Sequence, residues 1–162
     1  MIENSVIQSM LRRKSIRRYK PDMPCDQTVQ TIVRAGQQAP FASQLCSVLL
    51  SRHQEKNKFR APLLFTLCVD AHKWELIMAV RGWQMKGDDL LLLVLGMQDA
   101  ALMAENMVIA AESLGLGSCF LGDAPFRSRE IIQTYRLPQR VFPLVQLTMG
   151  YPAEDPPPRP RY

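Results

Sequence analysis

Two clusters of arginine, one near each end of the chain, are the residues best suited to chemistry in this sequence. The first is Arg12-Arg13-Lys14-Ser15-Ile16-Arg17-Arg18, and the second is Arg159-Pro160-Arg161. A guanidinium group presents a planar set of N–H donors that can bind phosphate oxygens in pairs. If the two ends of the chain meet, they form an anion site that fits a phosphate.

Length and composition set the broad class of the protein. The chain has 162 residues, which predicts a single domain over residues 1–162, and its apolar fraction of 47% is ordinary for a globular protein. The net charge of +5 suits a flavin phosphate, a nicotinamide dinucleotide or nucleic acid, and it selects none of them.

The cysteines and the apolar runs give an expected location. Four widely spaced cysteines, together with an N-terminus that lacks the pattern of a signal peptide, favour a reducing, cytoplasmic compartment. The longest strongly apolar stretch is Leu90–Leu95, whereas a helix needs roughly 20 residues to span a bilayer. We therefore expect no membrane segment. His53 and His72 lack partners at metal-ligand spacing, so we also expect no metal site.

The hydrophobic pattern predicts helices and strands that do not alternate strictly, which favours an α+β fold over a doubly wound α/β fold. Helices are predicted at residues 2–11, 26–39, 99–114 and 127–135, and strands at residues 48–50, 63–69, 118–121 and 141–149. Residues 88–96 fit a buried helix or a strand equally well, and residues 70–86 show only helical patches. The tail from Glu154 contains four prolines and is predicted to be extended.

Short motifs occur in a fixed order along nearly the whole chain. They are Arg12 to Tyr19, Ala39-Pro40, Ala61-Pro62, Asp99-Ala100-Ala101 with Glu105-Asn106, Ala110 to Cys119, Leu137-Pro138, Gly150 to Glu154, and Arg159-Pro160-Arg161. No single motif is specific, but the ordered set resembles the FMN-dependent nitroreductase family. The resemblance implies an α+β fold with a central mixed or antiparallel sheet flanked by helices. It also implies a homodimer that binds FMN at the subunit interface.

The resemblance further implies an oxidoreductase. Such an enzyme transfers hydride from NADH or NADPH to flavin N5, and then to a nitroaromatic, quinone or similar organic acceptor, in a ping-pong cycle. An alternative within the family is an atypical member that uses oxygen or acts on the flavin itself. An alternative from another class is a basic module that binds nucleic acid. The sequence lacks interleaved aromatic and basic residues and a reading helix, so we expect no nucleic-acid partner.

By the same resemblance, both arginine clusters supply contacts to the cofactor phosphate. The expected phosphate and ribityl ligands are Arg13, Ser15 and Arg17, with Lys14 contributing through its backbone, and Arg159 and Arg161 from the tail. Arg12 and Arg18 are expected to be surface charges. One of the two tail arginines is expected to pair with an acidic group such as Asp155.

Other candidates belong to the flavin ring. In the family, the turn after the strand that follows Gly-Leu-Gly offers a backbone N–H to flavin N5, which assigns Leu121 and Gly122 to that position. A donor there favours negative charge developing on the ring, and glycine lets the backbone approach closely. Gln44 is an amide partner of the flavin or of the partner subunit, and Gln54 is a candidate for the amide at the pyrimidine edge.

The turn after Pro40 departs from the family pattern, which usually has Ser, then Asn, then Gln-Pro-Trp. Phe41 and Cys46 make this wall more apolar, which leaves the acceptor open. Trp74 and Trp83 are expected to act in packing.

Overall fold

The computed structural model describes residues 4–84 and 87–160. Within these ranges the chain forms α-helices and β-strands in mixed order, as the hydrophobic pattern predicts for an α+β fold. The helices are α1 (Ser5–Arg12), α2 (Asp26–Gln37), α3 (His72–Val80), α4 (Asp89–Ser113) and α5 (Ser128–Tyr135), and the strands are β1 (Cys46–Ser51), β2 (Leu63–Asp70), β3 (Gly117–Leu121) and β4 (Val141–Gly150).

The four strands form one antiparallel sheet in the order β1-β2-β4-β3. The two central strands contain the long apolar runs, because a central strand covered on both faces has no solvent side on which to alternate polar residues. Leu63, Phe65 and Leu67 of β2 are fully buried, and so is Leu147 of β4. Thr66 and Cys68, on the opposite face of β2, are buried as well, so the strand is covered on both faces.

Helix α4 is longer than the sequence predicts. The hydrophobic pattern starts a helix at Asp99 and leaves residues 88–96 undecided, whereas the structure has one helix of 25 residues from Asp89 to Ser113. Asp88 caps it, since its carboxylate accepts the N–H groups of Leu90 at 2.7 Å and Leu91 at 3.3 Å. An aspartate at the N-cap satisfies donors that the first helical turn leaves open. The cap settles the ambiguity of the leucine run in favour of helix.

Small residues let α4 lie close against the sheet and α2. A Cβ atom at Gly96 would contact a methyl group of Val69 and lie 3.0 Å from the carbonyl oxygen of Leu45. On the α2 side, a Cβ atom at Gly36 would lie 2.5 Å from the side chain of Met107. These glycines are therefore required by the packing of α4 on β2 and of α2 on α4.

By length and apolar composition alone, α4 is the one helix in the described ranges that could cross a membrane. Its inner side packs in the protein core, where Ala100, Ala104 and Val108 are fully buried. The core helix of a soluble protein passes the same test, so the composition of α4 is weak evidence for a membrane segment.

Candidate functional site

The basic segment after α1 lies along the outer edge of β3. Ile16 donates its backbone N–H to the carbonyl of Ser118 at 2.8 Å, and Ser15 forms a parallel bridge with Ser118. On its other side, the segment pairs with the chain that leaves β4. Lys20 donates to the carbonyl of Tyr151 at 2.8 Å, and Ala153 donates to the carbonyl of Arg18 at 2.9 Å. These backbone bonds bring the two ends of the chain together.

Two acidic residues of the tail fasten it to the basic segment. The Glu154 carboxylate accepts the backbone N–H groups of Arg17 at 2.6 Å and Arg18 at 3.1 Å, and the Arg18 side chain at 3.3 Å. Asp155 forms an ion pair with Lys14. The expectation that Asp155 pairs with a tail arginine is therefore wrong for Arg159, while Arg161 lies outside the described residues. The acidic groups neutralise Lys14 and Arg18.

A cavity of about 340 Å³ opens where the two clusters meet. It is lined by Arg13, Lys14, Ser15, Arg17, Pro156, Pro157 and Arg159. Among the described residues, Arg13, Arg17 and Arg159 form no ion pair with a carboxylate. Three arginines that form no ion pair among the described residues, and one serine, therefore line a single opening, which we call the arginine cavity.

Arg13 provides a test of whether an anion fits there. Its guanidinium lies 6.0 Å from the ring centre of Phe120, and its Nη1 atom is shielded from solvent with no acceptor in residues 4–84 and 87–160. A buried donor without an acceptor costs about 1–3 kcal/mol, and more when it is charged. Burial raises the pKa of the nearby Glu112 carboxyl, while the positive charge of Arg13 opposes that rise. An anionic ligand would satisfy the orphaned N–H, so the residues present fit a phosphate.

Leu121 and Gly122 lie at the end of β3. Leu121 is buried and Gly122 is exposed. No heavy atom lies within 4 Å of the position that a Cβ atom would take at Gly122, so open space adjoins its backbone. The space is compatible with a flat group close to the main chain.

The two candidate amides occupy different surroundings. Gln54 shares a cavity of about 470 Å³ with Arg17, Arg18 and Tyr19. Gln44 lines a separate cavity of about 430 Å³ with Phe41, Cys46 and Lys73, which we call the loop cavity. Within one chain, the structure places Gln54 beside Arg17 and gives Gln44 no place in the lining of the arginine cavity.

The sequence interpretation missed what holds the loop of residues 41–45. The carboxylate of Asp99 accepts the backbone N–H groups of Ala42 at 2.7 Å, Ser43 at 3.3 Å and Leu45 at 2.8 Å. The Trp74 indole donates to the carbonyl of Ser43 at 2.7 Å, a role beyond the packing expected for this residue. A signal was present in the sequence, because an aspartate on the apolar face of a helix requires partners when it is buried.

Comparisons with known proteins support a family assignment. Residues 50–151, more than half of the chain, match the model of the nitroreductase family. The chain belongs to this family. The matched range includes β2, α4, β3 and β4, while both arginine clusters lie outside it.

Individual relatives in the family match over nearly the whole chain. The FMN reductase (NADPH) of Bacillus subtilis is 27% identical over 93% of this chain and 67% of its own length. The solved structure of B. megaterium NfrA2 is 27% identical, with a TM-score of 0.93 over 98% of this chain and 71% of that one. The NADPH:FMN oxidoreductase of Vibrio harveyi complexed with NAD+ is 26% identical, with a TM-score of 0.89 over 98% and 73%.

The hydrogen bonds that Glu154 accepts from Arg17 and Arg18 predict a contribution to the stability of the fold that depends on pH. Its backbone hydrogen bonds from Arg17 hold the pKa of the Glu154 carboxyl below its ordinary value of 4.5. The ionised form is therefore favoured in the folded state, so its stabilisation is present above the unfolded pKa and is lost as pH falls through the folded pKa. We expect Glu154→Gln to lower the free energy of unfolding in urea at pH 7. We expect the difference from wild type to shrink below about pH 4. A difference that stays constant with pH would show that the carboxylate charge plays no part.

Proposed function

We propose that this chain is an FMN-dependent oxidoreductase that takes hydride from NADPH or NADH and passes it to an organic acceptor. The names of its relatives support this, since one is an FMN reductase that uses NADPH and another is an NADPH:FMN oxidoreductase. The observation in this chain that carries the proposal is the arginine cavity, with the orphaned Nη1 atom of Arg13 beside it. A cofactor phosphate is the anion that agrees with both the names of the relatives and the arginine cavity.

In this proposal, the two ends of the chain hold the phosphate. Arg13, Arg17 and Arg159 supply guanidinium donors, and Ser15 supplies a hydroxyl. Lys14 has its ammonium engaged by Asp155 and contributes through its backbone. We assign Arg161 the same role as Arg159. Bidentate binding by several guanidinium groups fixes the orientation of a phosphate as well as its position.

The end of β3 is proposed to meet the ring. Bound FMN supplies the site of hydride acceptance and donation at its N5 atom. Leu121 and Gly122 would bring a backbone N–H against that part of the ring, where a fixed donor favours the negative charge that develops during transfer. Gln54 would donate to the pyrimidine edge from its place beside Arg17. No side chain is needed to carry a proton for hydride transfer, so the contribution of the chain is position and electrostatics.

A second candidate acceptor is free flavin. Relatives in Bacillus subtilis and Vibrio harveyi are named as an FMN reductase and as an NADPH-flavin oxidoreductase. Their names favour an enzyme that uses bound FMN to reduce a second flavin molecule. Nitroaromatics and quinones remain the first candidates by resemblance to the family.

We also infer that the chain works as a homodimer in a reducing, cytoplasmic compartment. Apolar side chains are exposed on α1, where Leu11 is 73% accessible, and on α4, where Leu90 is 68% accessible. A second copy would cover such side chains and could bring its Gln44 to the cofactor held by the arginines of the first copy. The four cysteines are free in the structure, which supports a reducing compartment.

Reconstitution with FMN tests the proposed function directly. Purified protein mixed with FMN and passed through a desalting column is expected to be yellow, with the absorbance bands of a flavin. Anaerobic addition of NADPH or NADH should bleach those bands. A nitroaromatic, a quinone or free FMN should then accept the electrons, which restores the bands of the bound flavin. The relative rates identify the donor and the acceptor. Colourless protein that cannot be loaded with FMN would refute the proposal.

The phosphate assignment is tested by a pair of neighbouring arginines. Arg17 lines the arginine cavity, whereas the Arg18 side chain is 76% exposed and pairs with Glu154. We expect Arg17→Ala to weaken FMN binding by about 10-fold or more, because it removes charge-assisted hydrogen bonds to the phosphate. Arg18→Ala should retain FMN affinity within about threefold, since an exposed ion pair contributes little. Fluorescence titration of flavin measures both, and equal losses would contradict the assignment.

The oligomeric state is tested by light scattering. We expect the FMN-loaded protein to have the mass of two chains. A monomer with full flavin occupancy would refute the interface site.

A further inference from the structure

We propose that Asp99 is a positioning residue that acts through the backbone of residues 42–45 to set the Gln44 amide for contact with a bound flavin. The inference rests on the proposed function, because that function gives Gln44 its contact with the cofactor. It adds a residue of α4 whose carboxylate is bonded to the loop backbone.

Asp99 binds the loop through both of its carboxylate oxygens. Oδ1 accepts the N–H of Ala42 at 2.7 Å, and Oδ2 accepts those of Leu45 at 2.8 Å and Ser43 at 3.3 Å. The residue is 2% exposed. A buried carboxylate is stable only when hydrogen bonds replace its lost water, and here all three of these donors belong to one loop.

The carbonyl groups of the same loop are also held. Ser43 accepts the Trp74 indole N–H at 2.7 Å, and Leu45 accepts the backbone N–H of Asp70 at 2.9 Å. The main chain of residues 42–45 is therefore fixed by neighbours on α3, α4 and the end of β2. The side chain of Gln44 lines the loop cavity, as does that of Phe41, which is half exposed.

The backbone conformation of Gln44 explains why the loop needs these hydrogen bonds. Its φ angle is +51°, in the left-handed region that costs a residue other than glycine about 1–2 kcal/mol. Strained backbone of this kind persists where the surrounding structure fixes it, and it is frequent at functional sites. The residues on either side, Ser43 and Leu45, both donate to Oδ2 of Asp99. Asp99 therefore stabilises the strained geometry of the candidate cofactor residue between them.

Asp99→Asn is the diagnostic substitution. It preserves the shape of the side chain but replaces one acceptor oxygen with an NH₂ group, which then faces an N–H donor of the loop. Asp70→Asn is the matched control, because Asp70 is also buried and near the loop, and its own bond to Leu45 comes from its backbone N–H, which the substitution keeps. The Asp70 carboxylate accepts from Ser47 and from the backbone of Lys73 at 3.1 Å, not from residues 42–45.

The first measurement is amide hydrogen exchange of FMN-free protein. We expect the amides of Ala42, Ser43 and Leu45 to exchange about 10-fold or more faster in Asp99→Asn than in wild type, because one acceptor oxygen is lost and the remaining amide oxygen is a weaker acceptor than a carboxylate. Asp70→Asn should leave the same amides unchanged. Equal exchange of the loop in Asp99→Asn and wild type would overturn the proposal.

The second measurement is FMN affinity in a double-mutant cycle with Gln44→Ala. We expect Asp99→Asn to weaken FMN binding by about 10-fold in the wild-type background and by less than about threefold when Gln44 is already alanine. Such coupling shows that Asp99 acts through Gln44. Faster loop exchange with unchanged FMN affinity would make Asp99 purely structural, and equal losses in both backgrounds would also overturn the proposal.

Two further outcomes separate this inference from the proposed function. Wild-type protein that binds no FMN overturns the proposed function and the cofactor role of Gln44 together. If wild-type protein and Asp99→Asn bind FMN equally tightly, only the role of Asp99 is overturned. If Asp99→Asn does not fold, Asp99→Glu keeps the carboxylate but displaces it from the N–H groups of the loop, and it should produce changes of exchange and affinity in the same directions. No change in either quantity would then refute the proposal.

Discussion

The close packing of α4 against the sheet and α2 is the constraint that places Asp99 at the loop cavity and Glu112 near Arg13. Gly96 and Gly36 let the helices and β2 approach within contact distance, so α4 occupies one position over the core. Asp99 on this helix bonds the loop that lines the loop cavity, and Glu112 lies near Arg13, which lines the arginine cavity. The thirteen residue steps from Asp99 to Glu112 correspond to a rise of roughly 20 Å along an α-helix. A single helix thus holds the two cavities apart, which agrees with a site that takes Gln44 from one copy and the arginines from another.

At the chain ends, backbone pairing determines which basic side chains meet an acidic partner and which face the cavity. The segment from Ser15 to Lys20 completes the edge of the sheet beside β3, and this pairing decides which side chains face the tail. Glu154 and Asp155 then neutralise Arg18 and Lys14, the positions next to the cavity. Arg13, Arg17 and Arg159 are left facing a common opening. Alternating neutralised and free charges convert a basic run into a site with a defined place for an anion.

The parts of this structure that the sequence predicted are those with local signals. The apolar runs of β2 and β4, the helix that follows Asp99 and the prolines of the tail each follow from residues close together in the chain. The start of α4 was missed because a leucine run is apolar in every direction, and only the cap at Asp88 distinguishes helix from strand. The pairing of Asp155 with Lys14 was not predicted, because charge complementarity in sequence allows any nearby cation. The clamp on residues 42–45 joins groups more than fifty positions apart in the chain, so the burial of Asp99 is the signal that remains in the sequence.

The loop beside the loop cavity is held through its backbone, so the side chains that line the cavity can change without loss of those bonds. Asp99 and Trp74 bind the loop through N–H and C=O groups, which nearly every residue type supplies at the same place. The side chains of Phe41 and Gln44 take no part in these bonds and line the cavity instead. Substitutions at those two positions can therefore change the shape and polarity of the wall while the loop backbone keeps its path. The proposed phosphate ligands are constrained differently, because there the side chains themselves would make the contact. In the proposed function, anchoring of the cofactor and choice of the acceptor therefore depend on different parts of the chain, and Phe41 can depart from the expected family pattern without a change in the basic segment.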